Sequence, residues 1–145
     1  MRKLLVILLF FIPLFVAAQA DLIGKPRLEV LAAMKIANYQ LVKLGMTKSK
    51  MKPAKLTWYD KFHCGNDADL LFFYNNSKDD TCRRVRTTRN IAVADSIKHA
   101  LDSIAVKVKK DTWTDKTGKI KMVLTVYKKY NFIALDYLPA DKRSK

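Results

Sequence analysis

The sequence predicts an α+β fold in which an antiparallel sheet carries two helices on one face, in the order α-β-β-β-α-β-β-β. Three observations lead to this prediction. Two stretches have apolar residues at helical spacing, several short stretches have alternating or continuous apolar residues, and strands do not alternate regularly with helices. Because βαβ units are absent, we expect antiparallel pairing, with the helices segregated to one side of the sheet.

The N-terminus has the three zones of a cleavable secretory signal peptide. A positive start precedes an apolar run from Leu4 to Val16, and small residues lead up to a cut before Asp21. The run is shorter than the roughly 20 apolar residues that a spanning helix needs, and no later stretch is long and apolar enough. We therefore expect a protein exported to the periplasm or the extracellular space. Its parts are a signal peptide at 1–20, a single domain at 21–139 and a disordered tail at 140–145.

The first half of the domain is predicted to contain one helix and three strands. The elements are a helix at 24–45, a basic loop at 46–55, and strands at 56–62, 70–74 and 81–88. Leu31 and Met34 belong to the apolar stripe of the helix, and Gly45 is its expected stop. Continuous apolar residues indicate that 70–74 is central in the sheet, whereas the arginines of 81–88 indicate an exposed edge strand.

The second half is predicted to contain a helix and three more strands. The elements are a helix at 90–106 and strands at 108–113, 120–127 and 132–138. Asn90 has a side chain that can cap the helix. Gly118 suits the positive φ of a hairpin turn, and strict alternation of side chains makes 120–127 the clearest strand in the chain.

Two cysteines remain after removal of the leader. Because an exported chain folds in an oxidising compartment, Cys64 and Cys82 are expected to form a disulfide, with two buried thiols as the alternative. Their spacing is not that of a zinc site, since His63 beside Cys64 has no second pair of ligands. No metal site and no cofactor is expected.

The chain is strongly basic, with 28 Lys and Arg residues against 13 Asp and Glu residues and a net charge of +15. Loss of Arg2 and Lys3 with the leader leaves 26 minus 13, a surplus of 13. Such a charge either serves solubility or favours an anionic partner: an acidic protein, a glycan, a lipid head group or a nucleic acid. The candidate binding residues are Arg83, Arg84, Arg86, Arg89, Lys48, Lys50, Lys52 and Lys55.

Catalytic motifs are weak in this sequence. A P-loop, a dinucleotide-binding glycine pattern and a Ser-His-Asp signature are all absent. His63 and His99 are the only imidazoles, and Asp95 and Asp102 flank His99 at helical spacing, where a carboxylate can orient a histidine. The favoured interpretation is a secreted or periplasmic non-catalytic binding domain. The alternative is a small secreted hydrolase that uses histidine, of the nuclease type.

Two segments resemble known exported proteins. Leu22-Ile23-Gly24-Lys25-Pro26-Arg27-Leu28-Glu29-Val30-Leu31 is similar to the helix-opening segment of small Gram-negative proteins. These are outer-membrane assembly lipoproteins of the small-protein-A type and β-lactamase-inhibitor-protein-like domains. Trp113 to Tyr127 and Phe132 to Tyr137 resemble the C-terminal hairpins of uncharacterised secreted α+β proteins. The resemblance implies a domain that binds other proteins and has no active site. The lipid-attachment cysteine of the assembly lipoproteins is missing here, so no membrane tether is implied.

Overall fold

A computed structural model describes residues 20–48, 56–65, 68–74 and 80–140, without the side chains of 46–48 and 56. The predicted signal peptide up to residue 19 and the tail beyond residue 140 lie outside this part of the chain. So do three of the candidate binding residues, Lys50, Lys52 and Lys55, and most of the predicted turn between the second and third strands.

Within these ranges the chain forms two α-helices and eight β-strands. The helices are α1 (Arg27–Ile36) and α2 (Ala94–Ile104). The strands are β1 (Gln40–Lys48), β2 (Leu56–His63), β3 (Asp69–Tyr74), β4 (Cys82–Asn90), β5 (Val106–Lys109), β6 (Thr112–Thr114), β7 (Ile120–Tyr127) and β8 (Phe132–Pro139). Single turns of 3-10 helix at Ile91–Val93 and Lys128–Tyr130 precede α2 and β8. Neither α-helix is long and apolar enough to cross a bilayer.

The strands form one antiparallel sheet in the order β1-β2-β3-β4-β8-β7-β6-β5. Each half of the domain contributes a helix and four consecutive strands, and the halves meet where β4 pairs with β8. The α+β class and the antiparallel sheet are therefore confirmed. The predicted element order is only roughly matched, because each half has four strands rather than three.

The additional strand of the first half is β1, and the prediction of a helix over 24–45 was wrong beyond Ile36. Asn38 adopts a left-handed conformation with φ of 58° just after the helix, a conformation common at helix ends. Gly45 does not stop a helix but lies in the middle of β1, where the Tyr59 ring covers it and leaves no room for a Cβ. The close approach of an aromatic ring explains the glycine.

In the second half the predicted strand 108–113 is divided into β5 and β6. Asp111 makes the turn between them with a φ of 53°. The locally encoded features are confirmed: the Asn90 carboxamide oxygen accepts a hydrogen bond of 2.9 Å from the backbone N–H of Ala92, and Gly118 has a φ of 69°. Strands β7 and β8 lie within one residue of their predicted bounds.

The core lies between the two helices and one face of the sheet, called here the covered face. Phe72 lies opposite Val85, and Val85 lies opposite Tyr137, so all three point the same way and all are buried. Val30 and Met34 from α1 and Leu101 from α2 belong to the same apolar cluster. Burial of these side chains is the main stabilising term, at about 25 cal/mol for each Å² of apolar surface.

The expected disulfide is absent. Cys64 follows β2 beside the first residue of β3, whereas Cys82 lies opposite Tyr74, the last residue of β3. Six residues of strand span about 17 Å, and bridged cysteines need Cα atoms within about 7 Å. Both thiols are free, and burial raises the pKa of each to about 11.

Candidate binding site on the open face of the sheet

The sheet surface opposite the helices is called here the open face. Strand β4 is a central strand of the sheet, because β3 and β8 pair with it on either side. The prediction, based on its arginines, that it is an exposed edge strand was wrong. Alternation along β4 buries Val85 on the covered face and turns Arg84 and Arg86 to the open face, and the β-bulge at Arg83 brings Cys82 to the covered face as well. The charges that indicated an edge strand are therefore collected at the centre of the molecule.

Arg86 and Asp136 form a two-pronged ion pair at this centre. They lie directly opposite each other on β4 and β8, and Nε and Nη2 of Arg86 donate to the two carboxylate oxygens at 2.8 and 2.7 Å. Asp136 is buried, with 6 % of its surface exposed. These hydrogen bonds with Asp136 raise the pKa of the Arg86 guanidinium further.

Arg84 has no such partner. Its Nε lies 3.8 Å from the nearer Asp136 oxygen, beyond hydrogen-bond distance, and this buried N–H has no acceptor among the described residues. Burial, together with the positive charge of Arg86, lowers the pKa of the Arg84 guanidinium, although Asp136 acts in the opposite direction. Two guanidinium groups thus share one carboxylate, and one positive charge is left without a counter-charge.

An aromatic floor supports Arg84. The guanidinium carbon lies 3.8 Å from the centre of the Phe73 ring, a close cation–π contact, and Phe73 is buried. The Tyr59 ring packs against Phe73 with centroids 5.8 Å apart. This packing holds the unpaired cation in place, so a ligand that binds it need not first order a mobile side chain.

A cleft of about 470 Å³ opens beside Arg86 toward the end of β4. Its lining residues are Lys61, Asp69, Leu71, Arg86, Thr88, Arg89, Asn90, Asn131 and Phe132. At one wall the Asp69 carboxylate accepts from Lys61 Nζ at 2.7 Å and lies 3.1 Å from His63 Nδ1. Although burial acts against it, these two contacts lower the pKa of Asp69.

The predicted binding residues are only partly brought together. Arg84 and Arg86 lie on the open face, and Arg83 is exposed beside a β-bulge that interrupts the pairing of β3 with β4. Arg89 lies opposite the buried Ile133, so strand alternation turns its side chain to the covered face. Lys48 ends β1, at one edge of the sheet, and its side chain lies outside the described part of the chain.

The predicted catalytic residues lie on opposite sides of the sheet. His63 is on the open face, whereas His99, Asp95 and Asp102 belong to α2 above the covered face. Asp102 accepts a hydrogen bond of 2.7 Å from the indole N–H of Trp113, which lowers the pKa of this carboxyl, and lies 3.3 Å from Lys107. Its observed contacts fasten α2 to β6.

Three residues of the site were missed by sequence reasoning: Phe73, Asp69 and Asp136. The signal for Asp136 is in the sequence, because it is the one charged residue in the otherwise apolar strand Phe132–Pro139. A buried carboxylate needs a cationic partner. An unpaired acid in one apolar strand and arginines in another are thus a pattern that indicates strand neighbours.

Comparisons with known proteins found no matching family model, curated protein or solved structure. Among the residues that the structure describes, no three His, Cys, Asp or Glu side chains are grouped so that they could hold a metal ion. A proposal for function therefore rests on the geometry and charge of the open face.

Proposed function

We propose that this chain is a non-catalytic binding domain that acts after export, and that its open face binds an acidic segment of a protein partner. The observation that carries the proposal is the two-to-one ratio of Arg84 and Arg86 to Asp136. A carboxylate of the partner would supply the missing counter-charge and the acceptor for the buried Nε of Arg84.

A protein fits this face better than a polyanion does. Asp69 and Asp136 stand among the cations of the face and would repel a continuous row of phosphates. Aromatic side chains and arginines are enriched at the centres of protein interfaces. Tyr127 and Phe132, stacked with ring centroids 4.7 Å apart, extend the apolar surface along β7 and β8. The resemblance of the first helix to protein-binding exported domains is consistent with this choice.

Binding of a fluorescein-labelled Glu-rich peptide, followed by anisotropy, tests the proposal. We expect Arg84→Met to weaken binding by about tenfold, the loss of roughly 1.4 kcal/mol that an interface arginine typically contributes. Lys116→Met removes the same charge from an exposed turn away from the face and should leave the affinity within about twofold. The Gln counterpart of the peptide should not bind.

Two results would overturn this function. One is equal loss of affinity in Arg84→Met and Lys116→Met, which would mean that net charge alone attracts the peptide. The other is tighter binding of heparin, of a DNA oligonucleotide or of phosphatidylglycerol vesicles than of the peptide, with the same dependence on Arg84. That result would assign the face to a polyanion or an anionic membrane.

A second candidate function is a histidine-dependent hydrolase, favoured by the 3.1 Å contact of His63 Nδ1 with Asp69 at the wall of the cleft. An oriented imidazole can act as a general base if a substrate phosphate occupies the neighbouring cleft. Cleavage of a labelled RNA should then be abolished by His63→Gln and kept by His99→Gln, because His99 lies on the far side of the sheet. No cleavage by the parent protein would eliminate this candidate.

A further inference from the structure

The side chains that shape the cleft come from the open face of the sheet. Thr88 on β4 lies opposite Asp69 on β3, and Asn90 on β4 lies opposite Phe132 on β8. Arg89, between Thr88 and Asn90, turns its side chain to the covered face and so brings no charge into the cleft. The cleft volume, about 470 Å³, lies within the range of about 300–1,000 Å³ usual for ligand sites.

The charges that face the cleft are balanced. Lys61 Nζ lies 2.7 Å from the Asp69 carboxylate, and Nη2 of Arg86 lies 2.7 Å from the Asp136 carboxylate. A charged ligand would compete with one partner of each pair and would leave the other partner uncompensated. A neutral polar ligand can bind while both ion pairs stay intact, so the charges favour a neutral ligand.

Hydrogen-bonding groups of both kinds line the cleft. The Asp69 carboxylate accepts, and the Thr88 hydroxyl can both donate and accept. The side-chain oxygen of Asn90 accepts from the N–H of Ala92, so the NH₂ group of this amide is the part that can donate to a ligand. A sugar hydroxyl is donor and acceptor at once, and its bond to a carboxylate is stronger than a bond between neutral groups. This mixture therefore suits the several hydroxyls of one sugar ring.

One wall of the cleft is aromatic. The Phe132 ring stacks on Tyr127 with centroids 4.7 Å apart and an interplanar angle of 22°, which holds the ring in place. The Tyr130 ring lies 6.3 Å from Phe132 and is 63 % exposed, so the aromatic surface continues beyond the cleft. A pyranose ring with equatorial hydroxyls has two apolar faces of C–H groups, and such a face packs well against a flat aromatic ring.

We propose that this cleft binds a neutral saccharide whose ring hydroxyls are equatorial, as in a β-linked glucose unit. One face of the sugar ring packs against Phe132, and its hydroxyls form hydrogen bonds with Asp69, Thr88 and Asn90. This site is separate from the Arg84 site proposed for a protein partner, because Arg84 does not line the cleft. Each site can therefore be tested while the other is intact.

Cellobiose is the probe for this proposal, and its comparison ligands are glycerol, which has hydroxyls but no ring face, and adenosine, which has a flat aromatic base. In an amide NMR titration of the protein, cellobiose should shift the signals of Thr88, Asn90 and Phe132 and saturate with a Kd of about 1 mM. Glycerol and adenosine should bind at least about tenfold more weakly. Shifts that do not saturate, or equal binding of glycerol, would overturn the proposal. Tighter binding of adenosine would overturn it too, and would assign the cleft to a nucleoside.

Two variants and a matched control locate the site. Thr88→Val keeps the shape of the side chain but removes its hydroxyl, and it should weaken cellobiose binding about fivefold. Thr125→Val makes the same change on β7, on the open face outside the cleft, and should leave the affinity unchanged. Phe132→Leu removes the ring face and should also weaken binding about fivefold.

Undiminished binding of cellobiose by Thr88→Val would exclude the cleft, even if Phe132→Leu does not fold. Equal losses in Thr88→Val and Thr125→Val would exclude it as well, because the effect would then not be local. Arg84→Met should bind cellobiose normally, and Thr88→Val should bind the Glu-rich peptide normally. Failure of this proposal can therefore be told apart from failure of the proposal for a protein partner.

Discussion

Two bidentate arginine–aspartate pairs lie on opposite faces of the same sheet. On the covered face Arg27 at the start of α1 donates to both oxygens of Asp60 at 2.8 Å each, one cation for one carboxylate. On the open face Arg84 and Arg86 share Asp136. Both carboxylates are buried, with 2 % of Asp60 and 6 % of Asp136 exposed. The same chemical pair is complete where it holds a helix on the sheet and incomplete where the sheet faces outward.

This difference indicates that the Arg27–Asp60 pair has a structural role and that the Arg84–Arg86–Asp136 cluster has a ligand-binding role. The Arg27–Asp60 pair is balanced in charge and leaves no excess charge for a ligand, and the hydrogen bonds with Asp60 raise the pKa of Arg27. An unbalanced cluster holds a desolvated charge that a ligand can neutralise, and burial lowers the pKa of Arg84. Uncompensated charge inside a folded protein reduces stability, so it points to a function for the place where it is found.

The largest expected effect comes from breaking the complete pair. Arg27→Met leaves the Asp60 carboxylate buried without a cation and should lower the free energy of unfolding by about 3–5 kcal/mol. Lys25→Met, which removes the exposed pair with Glu29 one turn away, should lower it by less than about 1 kcal/mol. Urea titrations of both variants provide the measurement. Equal effects would mean that the Arg27–Asp60 pair has no special structural role.

Asp136→Asn should act in opposite directions on stability and on binding. It removes the carboxylate that, among the described residues, both Arg84 and Arg86 contact, so the free energy of unfolding should fall by about 2–3 kcal/mol. It also removes one negative charge from the open face, so the Glu-rich peptide should bind more tightly. Urea unfolding and anisotropy, measured on the same preparation, check the two signs. A variant that loses both stability and affinity would show that Asp136 positions the arginines for the ligand.

Arg84→Met is the converse of that change. Removal of the unpaired cation should leave the free energy of unfolding unchanged within about 0.5 kcal/mol or raise it slightly, because no counter-charge is orphaned. The contrast with Arg27→Met on the covered face is the sharpest form of the comparison. A loss as large as that of Arg27→Met would mean that Arg84 is structural and would remove the basis for the binding site.

The last prediction concerns a thiol of the covered face, whose effect on stability is seen only at alkaline pH. Burial raises the pKa of Cys82 from 9.0 to about 11, so the folded state favours the neutral thiol. The resulting stability is complete below pH 9 and is lost as the pH rises through 11, by about 1 kcal/mol at pH 10. Urea unfolding at pH 8 and pH 10 measures the loss, and Cys82→Ala should reduce it. A disulfide-bonded chain would show no thiol titration at all.

The parts of the fold that were predicted correctly depend on neighbours in the sequence. The Asn90 cap, the Gly118 turn and the alternation of 120–127 are each decided within a few residues. The prediction of a helix over 24–45 was wrong in its second half because the spacing of Leu41 and Leu44 is compatible with a helix as well as with a strand. Pairing of β1 with β2 decided between the two, and only the left-handed Asn38 marks the boundary locally.

Only part of the candidate site was predicted from the sequence. Arg84 and Arg86 were predicted from the sequence to be binding residues. The same arginines led to the wrong prediction that β4 is an edge strand, and Asp136 was not identified from the sequence as their partner. Arg86 and Asp136 are 50 positions apart in the sequence. A contact of that separation leaves no periodic trace along the chain, because strand alternation reports which face a side chain occupies and not which strand lies beside it.

The sequence by itself determined a strongly basic α+β chain with two helices, several well-marked strands and specific turns, because propensity, periodicity and capping act over short distances. Only the tertiary structure decided that β4 and β8 meet at the centre of the sheet, that the cysteines stay apart, and that two arginines share one aspartate. These outcomes follow from strand order, which is set by the combined burial of apolar side chains from both halves of the domain.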